Sequence, residues 1–285
     1  MVDDEVARAF VPGHVTGFFS VHHGDDPLST GSRGGGLTLA DGVTVTVSRG
    51  EHQTYLDGTS STIEPVDLVC SALDVEPTVS VESALPPGCG FGVSGGAALG
   101  TAMAANSLYD LELSENEVVA LAHGAEVRAG TGLGDVVAQA RGGAVLRLEP
   151  GAPGRGALDG IPIEPTVVEY LVLDERSTTD VLTGDTTLLS EAGEVALRRV
   201  RSTPTTDQFV RASRRFAREA ELLTPDVIEV IQAVSAADGE AAMAMLGETV
   251  FTLGTGLTEA GYDPVQTRVD HCGATMHTGA ETENR

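Results

Sequence analysis

The chain has no lysine and no tryptophan, aromatic residues make up only 4% of it, and it carries three cysteines. Each absence excludes something. Without lysine, a phosphate loop of the G-x-x-x-x-G-K-[ST] type is impossible, so any phosphate must be held by backbone amides or by arginine. Basic residues are scarce as well: 42 acidic residues against 17 arginines give a formal charge of −25. That balance excludes the broad basic face that nucleic acid or an anionic membrane requires. Cys70, Cys89 and Cys272 are odd in number and lack metal-ligand spacing, so reduced thiols in a reducing compartment are expected. No run of about 18 uninterrupted apolar residues exists, and the first residues are acidic rather than of signal-peptide type. A cytoplasmic protein is expected.

The composition that replaces lysine is rich in Ala, Val, Thr, Asp and Glu. It resembles that of proteins from salt-accumulating halophiles, where molar salt would screen the self-repulsion. At 285 residues the chain has room for one large or two modest domains.

The most informative segment is residues 86–102, Pro-Pro-Gly-Cys-Gly-Phe-Gly-Val-Ser-Gly-Gly-Ala-Ala-Leu-Gly-Thr-Ala, a glycine-rich loop that enters a small-residue helix. Gly88, Gly90, Gly92, Gly95 and Gly96 remove side chains and permit positive φ, so successive N–H groups can converge on phosphate oxygens. Gly90, Gly92 and Gly95 also satisfy G-x-G-x-x-G. A dinucleotide fold, however, needs a buried parallel strand before that fingerprint and an acidic residue closing the next strand. Here an alternating segment, 78–84, precedes it, and Asp110 follows a helix with no strand between. A glycine turn that serves only close helix packing stays open as the alternative to a nucleotide-phosphate loop.

Around this segment, residues 6–11 and 37–47 read as strands, the second with Asp41-Gly42 as a hairpin turn. Residues 97–108 read as helix. Ser114 to Glu117 forms a capping box, with Leu113 and Val118 as its hydrophobic staple, and opens a helix to about residue 129 that Gly130 stops. Residues 150–165 hold four prolines and four glycines and mark the expected boundary between domains 1–160 and 161–285. Beyond it come a strand at 167–173, mostly helical sequence across 178–250, and closing strands at 265–269 and 274–277. The expected class is α+β, a β-rich first layer followed by an α+β one.

Several side chains suit a common chemistry. His123 and Glu126 are spaced i, i+3, so they share one side of the capped helix. Glu126 and Ser94 offer the oxygen donors that a hard cation prefers. Gly130, Gly132 and Gly134 lead to Asp135, a turn that projects a short carboxylate suited to act as a base, or else one that an Asp merely terminates. In 142–148, Ala144, Leu146 and Leu148 share one face and Arg147 takes the other, where its guanidinium suits a carboxylate. His22-His23 beside Asp25-Asp26 looks like ligand material, yet adjacent loop histidines rarely converge on one ion. Seven arginines between Arg198 and Arg218 are interleaved with acids and read as a solvated or subunit-contact face.

The segments P-G-H-V-T-G-F-F (12–19), P-P-G-C-G-F-G-V-S-G-G-A-A-L-G (86–100), A-H-G-A-E (122–126), G-T-G-L-G-D-V (130–136) and G-G (142–143), in that order, resemble the archaeal pantoate kinases of the GHMP kinase superfamily. The resemblance covers roughly 8–150 well and the remainder loosely. It implies a two-domain α+β GHMP kinase fold, with a β-rich α/β N-terminal domain carrying the loop and a ferredoxin-like C-terminal domain. It also implies that ATP and Mg2+ phosphorylate pantoate to 4-phosphopantoate on the route to coenzyme A, in a homodimer. Carried over residue by residue, Pro87, Gly88, Gly90, Phe91, Gly92, Ser94, Gly95 and Gly96 bind the nucleotide, and Ser94 and Glu126 the metal. Asp135 is the catalytic residue, as a base or as the group that orients the hydroxyl, and Ser20, His123, Arg147 and Thr178 bind the substrate. The sequence departs from the superfamily in two places: no lysine is present to support the aspartate, and only Gly273-Ala274-Thr275 resembles the third glycine motif. A homoserine-, shikimate- or mevalonate-type kinase, or a silent nucleotide-binding protein of the same fold, remains as the alternative.

Overall fold

A computed structural model describes residues 6–174, 186–245 and 247–277. Its first half holds β1 (Val6–His22), β2 (Gly31–Arg49), β3 (Gln53–Leu56), β4 (Thr59–Ser60), α1 (Glu64–Leu73), β5 (Pro77–Ser83), α2 (Val93–Leu108), α3 (Glu115–Ala129), α4 (Asp135–Arg141), β6 (Ala144–Glu149) and β7 (Ala157–Ile161). Its second half holds β8 (Val167–Asp174), α5 (Thr187–Ser202), α6 (Thr206–Glu219), α7 (Pro225–Ala236), β9 (Ala241–Ala244), β10 (Glu248–Leu253), α8 (Gly256–Glu259), β11 (Val265–Arg268) and β12 (Thr275–His277).

The two long strands β1 and β2 pair antiparallel from Val6↔Ser48 to His22↔Gly31 and form the spine of an eight-stranded sheet ordered β12-β1-β2-β5-β3-β4, with β6 on β2 and β7 on β6. The expected hairpin at Asp41-Gly42 is absent, because β2 continues through it. Pro12 pairs with Gly42 and Gly13 with Leu39, so Ala40 and Asp41 form a bulge. Gly42 answers a close approach rather than a turn: a Cβ there would lie 2.1 Å from the Val11 carbonyl oxygen. The chain reverses instead between His22 and Gly31.

α2 lies on this spine because its small residues let it. A Cβ on Gly96 would come 2.7 Å from Val43 Cγ2, and one on Gly100 2.5 Å from Val45 Cγ2. Ala97, Ala98, Leu99 and Ala102 are buried against the sheet with Val11, Val43 and Val45. Bulkier side chains would lift the helix, and with it the loop at its N-terminus.

The second sheet has the order β11-β8-β10-β9 with every neighbouring pair antiparallel. Numbered along the chain this is fourth, first, third, second, the ferredoxin-like order, here with three helices among the described residues of the first crossover. Residues 241–244 and 248–253, expected within a mostly helical stretch, are strands β9 and β10. Ala-Ala-Met-Ala has good intrinsic helix propensity, but all four residues are buried in the sheet, and tertiary packing overrides propensity. The two halves share one core. Phe18 and Phe19 of β1 stack on Phe209 and Phe216 of α6, with ring centroids 5.8 and 5.9 Å apart. The chain passes from the first sheet to the second between Ile161 and Val167, and β12 returns to pair with β1. Among the described residues, no helix is long and apolar enough to cross a membrane.

Candidate active site

The glycine loop adopts the conformation its composition permits. Gly88, Gly90 and Gly92 have φ of 79°, 86° and 66°, the left-handed region where other residues are strained. Gly92 is the N-cap of α2 and supplies no side-chain cap, and the first helical bond runs from Gly96 N to Gly92 O. The amides of Val93, Ser94 and Gly95 therefore have no partner within the helix, at the positive end of its dipole. A Cβ on Gly88 would meet nothing within 4 Å.

Beside the loop stands α3, opened by the expected capping box. The Glu117 amide donates to Ser114 Oγ at 3.4 Å, the Ser114 amide donates to Glu117 Oε2 at 2.8 Å, and Gly130 ends the helix at φ 70°. His123 and Glu126 both point inward and are buried. His123 donates from Nε2 to the Thr30 carbonyl at 2.9 Å, and burial lowers its pKa. Glu126 Oε1 accepts from Ser94 Oγ at 2.5 Å and from Thr131 Oγ1 at 2.9 Å. Burial pushes the Glu126 carboxyl up to about 7; the hydroxyl bonds pull against this, and the charge of Asp135 adds to it.

Asp135 is the first residue of α4, and it sits against the entrance of α2: a Cβ on Gly92 would lie 3.3 Å from Asp135 Cβ, and one on Gly95 3.6 Å from it. The two carboxylates meet across Gly132, where a Cβ would lie 2.3 Å from Glu126 Oε2 and 3.4 Å from Asp135 Oδ2. Asp135 Oδ1 accepts from His14 Nδ1 at 2.6 Å and more distantly from Thr16 Oγ1 at 3.5 Å. Burial acts to raise the Asp135 carboxyl, but the His14 bond, the neighbouring charge of Arg147 and the Thr16 hydroxyl outweigh it and hold the group below the usual carboxylate range.

Arg147 projects from β6 and is 2% exposed. Its Nε donates to Ser32 Oγ at 3.1 Å, while one terminal nitrogen, Nη1, is buried without a hydrogen-bond partner among the described residues. Such a nitrogen is costly unless an anion reaches it. Thr16, Phe19, Ser32, Leu133, Gly134, Asp135 and Arg147 line a narrow recess.

Of the residues singled out from sequence, the loop, Ser94, Glu126, Asp135 and Arg147 thus come together, with His123 on the same helix as Glu126. Ser20 does not line the recess: its hydroxyl donates to Glu194 Oε1 at 2.8 Å, in a cluster where Arg33 donates to Glu194 Oε2 at 3.0 Å and His22 lies 3.3 Å from Oε1. Thr178 lies outside the described residues. Within the arginine-rich segment, Arg211 and Arg214 pair with Glu240 and Arg215 with Glu219, and none of the seven lines the recess. Sequence reasoning missed His14, Thr16, Ser32 and Thr131. It also missed Gln139, whose Nε2 donates to the carbonyls of Pro12 (2.9 Å) and Gly92 (3.0 Å), tying α4 to the loop. His14 and Thr16 were visible only as part of the P-G-H-V-T-G-F-F segment, since nothing local to a strand says which helix it will face.

Comparison with known proteins identifies the family. A family model for the GHMP kinases N terminal domain matches residues 62–143. The chain is 33% identical over 257 residues to the pantoate kinase of Methanocaldococcus jannaschii, a match covering 86% of this chain and 91% of the relative. It is 32% identical over 263 residues to the pantoate kinase of Thermococcus kodakarensis, covering 86% and 87% respectively. A solved structure named "Phosphotransferase related to CoA biosynthesis pathway" superposes with a TM-score of 0.86 at 28% identity, covering 96% of this chain and 99% of that one. By these likenesses the chain belongs to the pantoate kinase family.

Proposed function

We propose that the chain transfers the γ-phosphoryl group of ATP to the C4 hydroxyl of pantoate, giving 4-phosphopantoate and ADP for coenzyme A synthesis. The observation that carries the reading is the recess itself: Asp135 and a buried arginine with an unpartnered nitrogen share it, at the open N-terminus of α2. Phosphoryl transfer asks the protein mainly to position reactants and to neutralise charge. In this reading Gly88, Gly90, Phe91, Gly92, Ser94 and Gly95 hold the triphosphate by main-chain N–H groups, with Pro87 and Gly96, whose N–H is spent on the Gly92 carbonyl, framing the loop. Arg147 takes the pantoate carboxylate as a charge-assisted pair, which turns the far end of the molecule toward Asp135. Asp135, ionised at neutral pH, accepts the hydroxyl proton as that oxygen attacks phosphorus and ADP leaves. His123 and Ser20 are read as further acceptor-binding residues, Ser20 by exchanging its Glu194 bond for a substrate oxygen, and Thr178, outside the described residues, is assigned the same role from the resemblance alone.

Ser94 and Glu126 fit a magnesium ion. Their hydroxyl and carboxylate already meet at 2.5 Å, and a hard cation takes such oxygens together with phosphate and water. When bound, Mg2+ neutralises charge on the phosphate oxygens. Residues 1–160 and 161–285 are read as the two domains, the assembly as a homodimer and the setting as a salt-rich cytoplasm. The setting rests on the missing lysine and the charge of −25.

The test is ADP release at molar KCl with ATP and Mg2+, offering pantoate, mevalonate, homoserine and shikimate in turn. Pantoate alone should support turnover. Turnover with a different acceptor, or nucleotide binding with no ADP from any of them, would overturn the reading.

A further inference from the structure

We propose that His14 is a positioning residue for phosphoryl transfer: it fixes Asp135 through one carboxylate oxygen and ties it to the glycine loop, leaving Oδ2 to face the acceptor hydroxyl. The inference rests on the reading of Asp135 given above. Four observations lead to it. First, the ring is fully buried, and its Nδ1 donates to Asp135 Oδ1 at 2.6 Å. Second, the backbone N–H of the same residue donates to the Phe91 carbonyl at 2.9 Å, inside the loop. One residue thus holds the loop with its main chain and the carboxylate with its side chain.

Third, the seat of the ring is specific. Gly36 on β2 leaves room for it, since a Cβ there would lie 2.2 Å from His14 Nε2, and Nε2 has no hydrogen-bond partner among the described residues. Leaving a buried ring nitrogen unpaired carries a cost, and the Nδ1 contact is what this ring gains in return. Fourth, no other described residue does the same job. The chain has no lysine, Arg147 spends its hydrogen bond on Ser32, and Thr16 reaches Oδ1 only at 3.5 Å. Without His14 the carboxylate is free to rotate, and its approach to the acceptor is no longer aligned.

The experiment compares His14→Leu, His14→Asn and His14→Gln, each alone and on Asp135→Asn, by steady-state kinetics, ATP affinity and thermal unfolding. Asparagine puts an amide N–H where Nδ1 stands, whereas glutamine puts its donor where Nε2 stands. With Leu or Gln, kcat should fall by about 100-fold while the pantoate KM and ATP affinity move by less than about threefold; Asn should recover at least about tenfold of the loss. On the Asp135→Asn background, the Leu variant should add less than about twofold, because two residues acting as a unit are not additive. Should His14→Leu fail to fold, the Asn and Gln pair carries the same comparison. A folded Leu or Gln variant with near-normal kcat, Asn no better than Gln, or full additivity with Asp135→Asn would overturn the proposal. A wild-type rate in Asp135→Asn alone would instead overturn the reading of Asp135.

Discussion

The donor side and the acceptor side of the site are built from opposite materials. Around Gly88 to Gly92 the loop offers bare backbone and positive-φ glycines, with open space at Gly88. Around Asp135 the chain buries polar and charged side chains supplied by separate elements: His14 and Thr16 from β1, Ser32 from β2, Arg147 from β6. The donor side is held in place through its carbonyls, by Gln139 on Gly92 and the His14 N–H on Phe91, which leaves its own amides free to bind. The buried side chains carry the cost of desolvation, visible in the Glu126 carboxyl, at the proposed metal position between the two sides, raised to about 7 and in the Arg147 nitrogen left without a partner among the described residues. One region binds by having little side chain in the way, the other by holding charges where water cannot quench them.

If that division holds, damage to one side should spare the other. The largest effect is expected from Asp135→Asn, which should lower kcat by about 1,000-fold with ATP affinity intact, since general-base assistance is worth about 10²–10⁴; equilibrium ATP binding beside steady-state rates checks it. Next comes Glu126→Gln. Its folded-state pKa is raised, so in metal-free protein the folded state is favoured below the unfolded value near 4.5 and loses that stability as pH rises through about 7. Glutamine should therefore stabilise the metal-free protein at pH 8, by up to about 3 kcal/mol, and have little effect near pH 4. Denaturant unfolding at the two pH values measures this, and the same variant should lose Mg2+-dependent turnover.

Arg147→Ala should raise the pantoate KM by about 10- to 100-fold, the worth of a charge-assisted pair, and change the ATP KM by less than about threefold. Equal weakening of both substrates would mean that the two sides are not separable. The smallest effect belongs to Gly88→Ala. With φ at 79° and no atom within 4 Å of its new methyl group, it should cost about 1–2 kcal/mol of backbone strain, seen in ATP affinity rather than in pantoate KM.

The same contrast explains what the sequence disclosed. The loop, the capping box at Ser114 and the stop at Gly130 are local events, set by residues a few positions apart, and all were legible. Asp135 and Arg147 were legible as residue types, through the glycine run before one and the alternation around the other. Their partners were not, because pairings such as His14 with Asp135 span 121 residues and depend on strand register. Asp41-Gly42 shows the limit from another direction: a dipeptide suited to a hairpin serves as a bulge once β1 runs alongside it. The buried strand at Ala241–Ala244 was misread for a related reason, since alanine-rich sequence favours helix until a sheet encloses it.

The most direct test is a crystal structure with a non-hydrolysable ATP analogue, Mg2+ and pantoate. The account predicts the phosphates on the amides of Val93, Ser94 and Gly95, the pantoate carboxylate on Arg147, and the C4 oxygen about 3 Å from Asp135 Oδ2. A nucleotide lodged away from residues 87–96, or pantoate bound with its carboxylate turned toward Asp135, would contradict it.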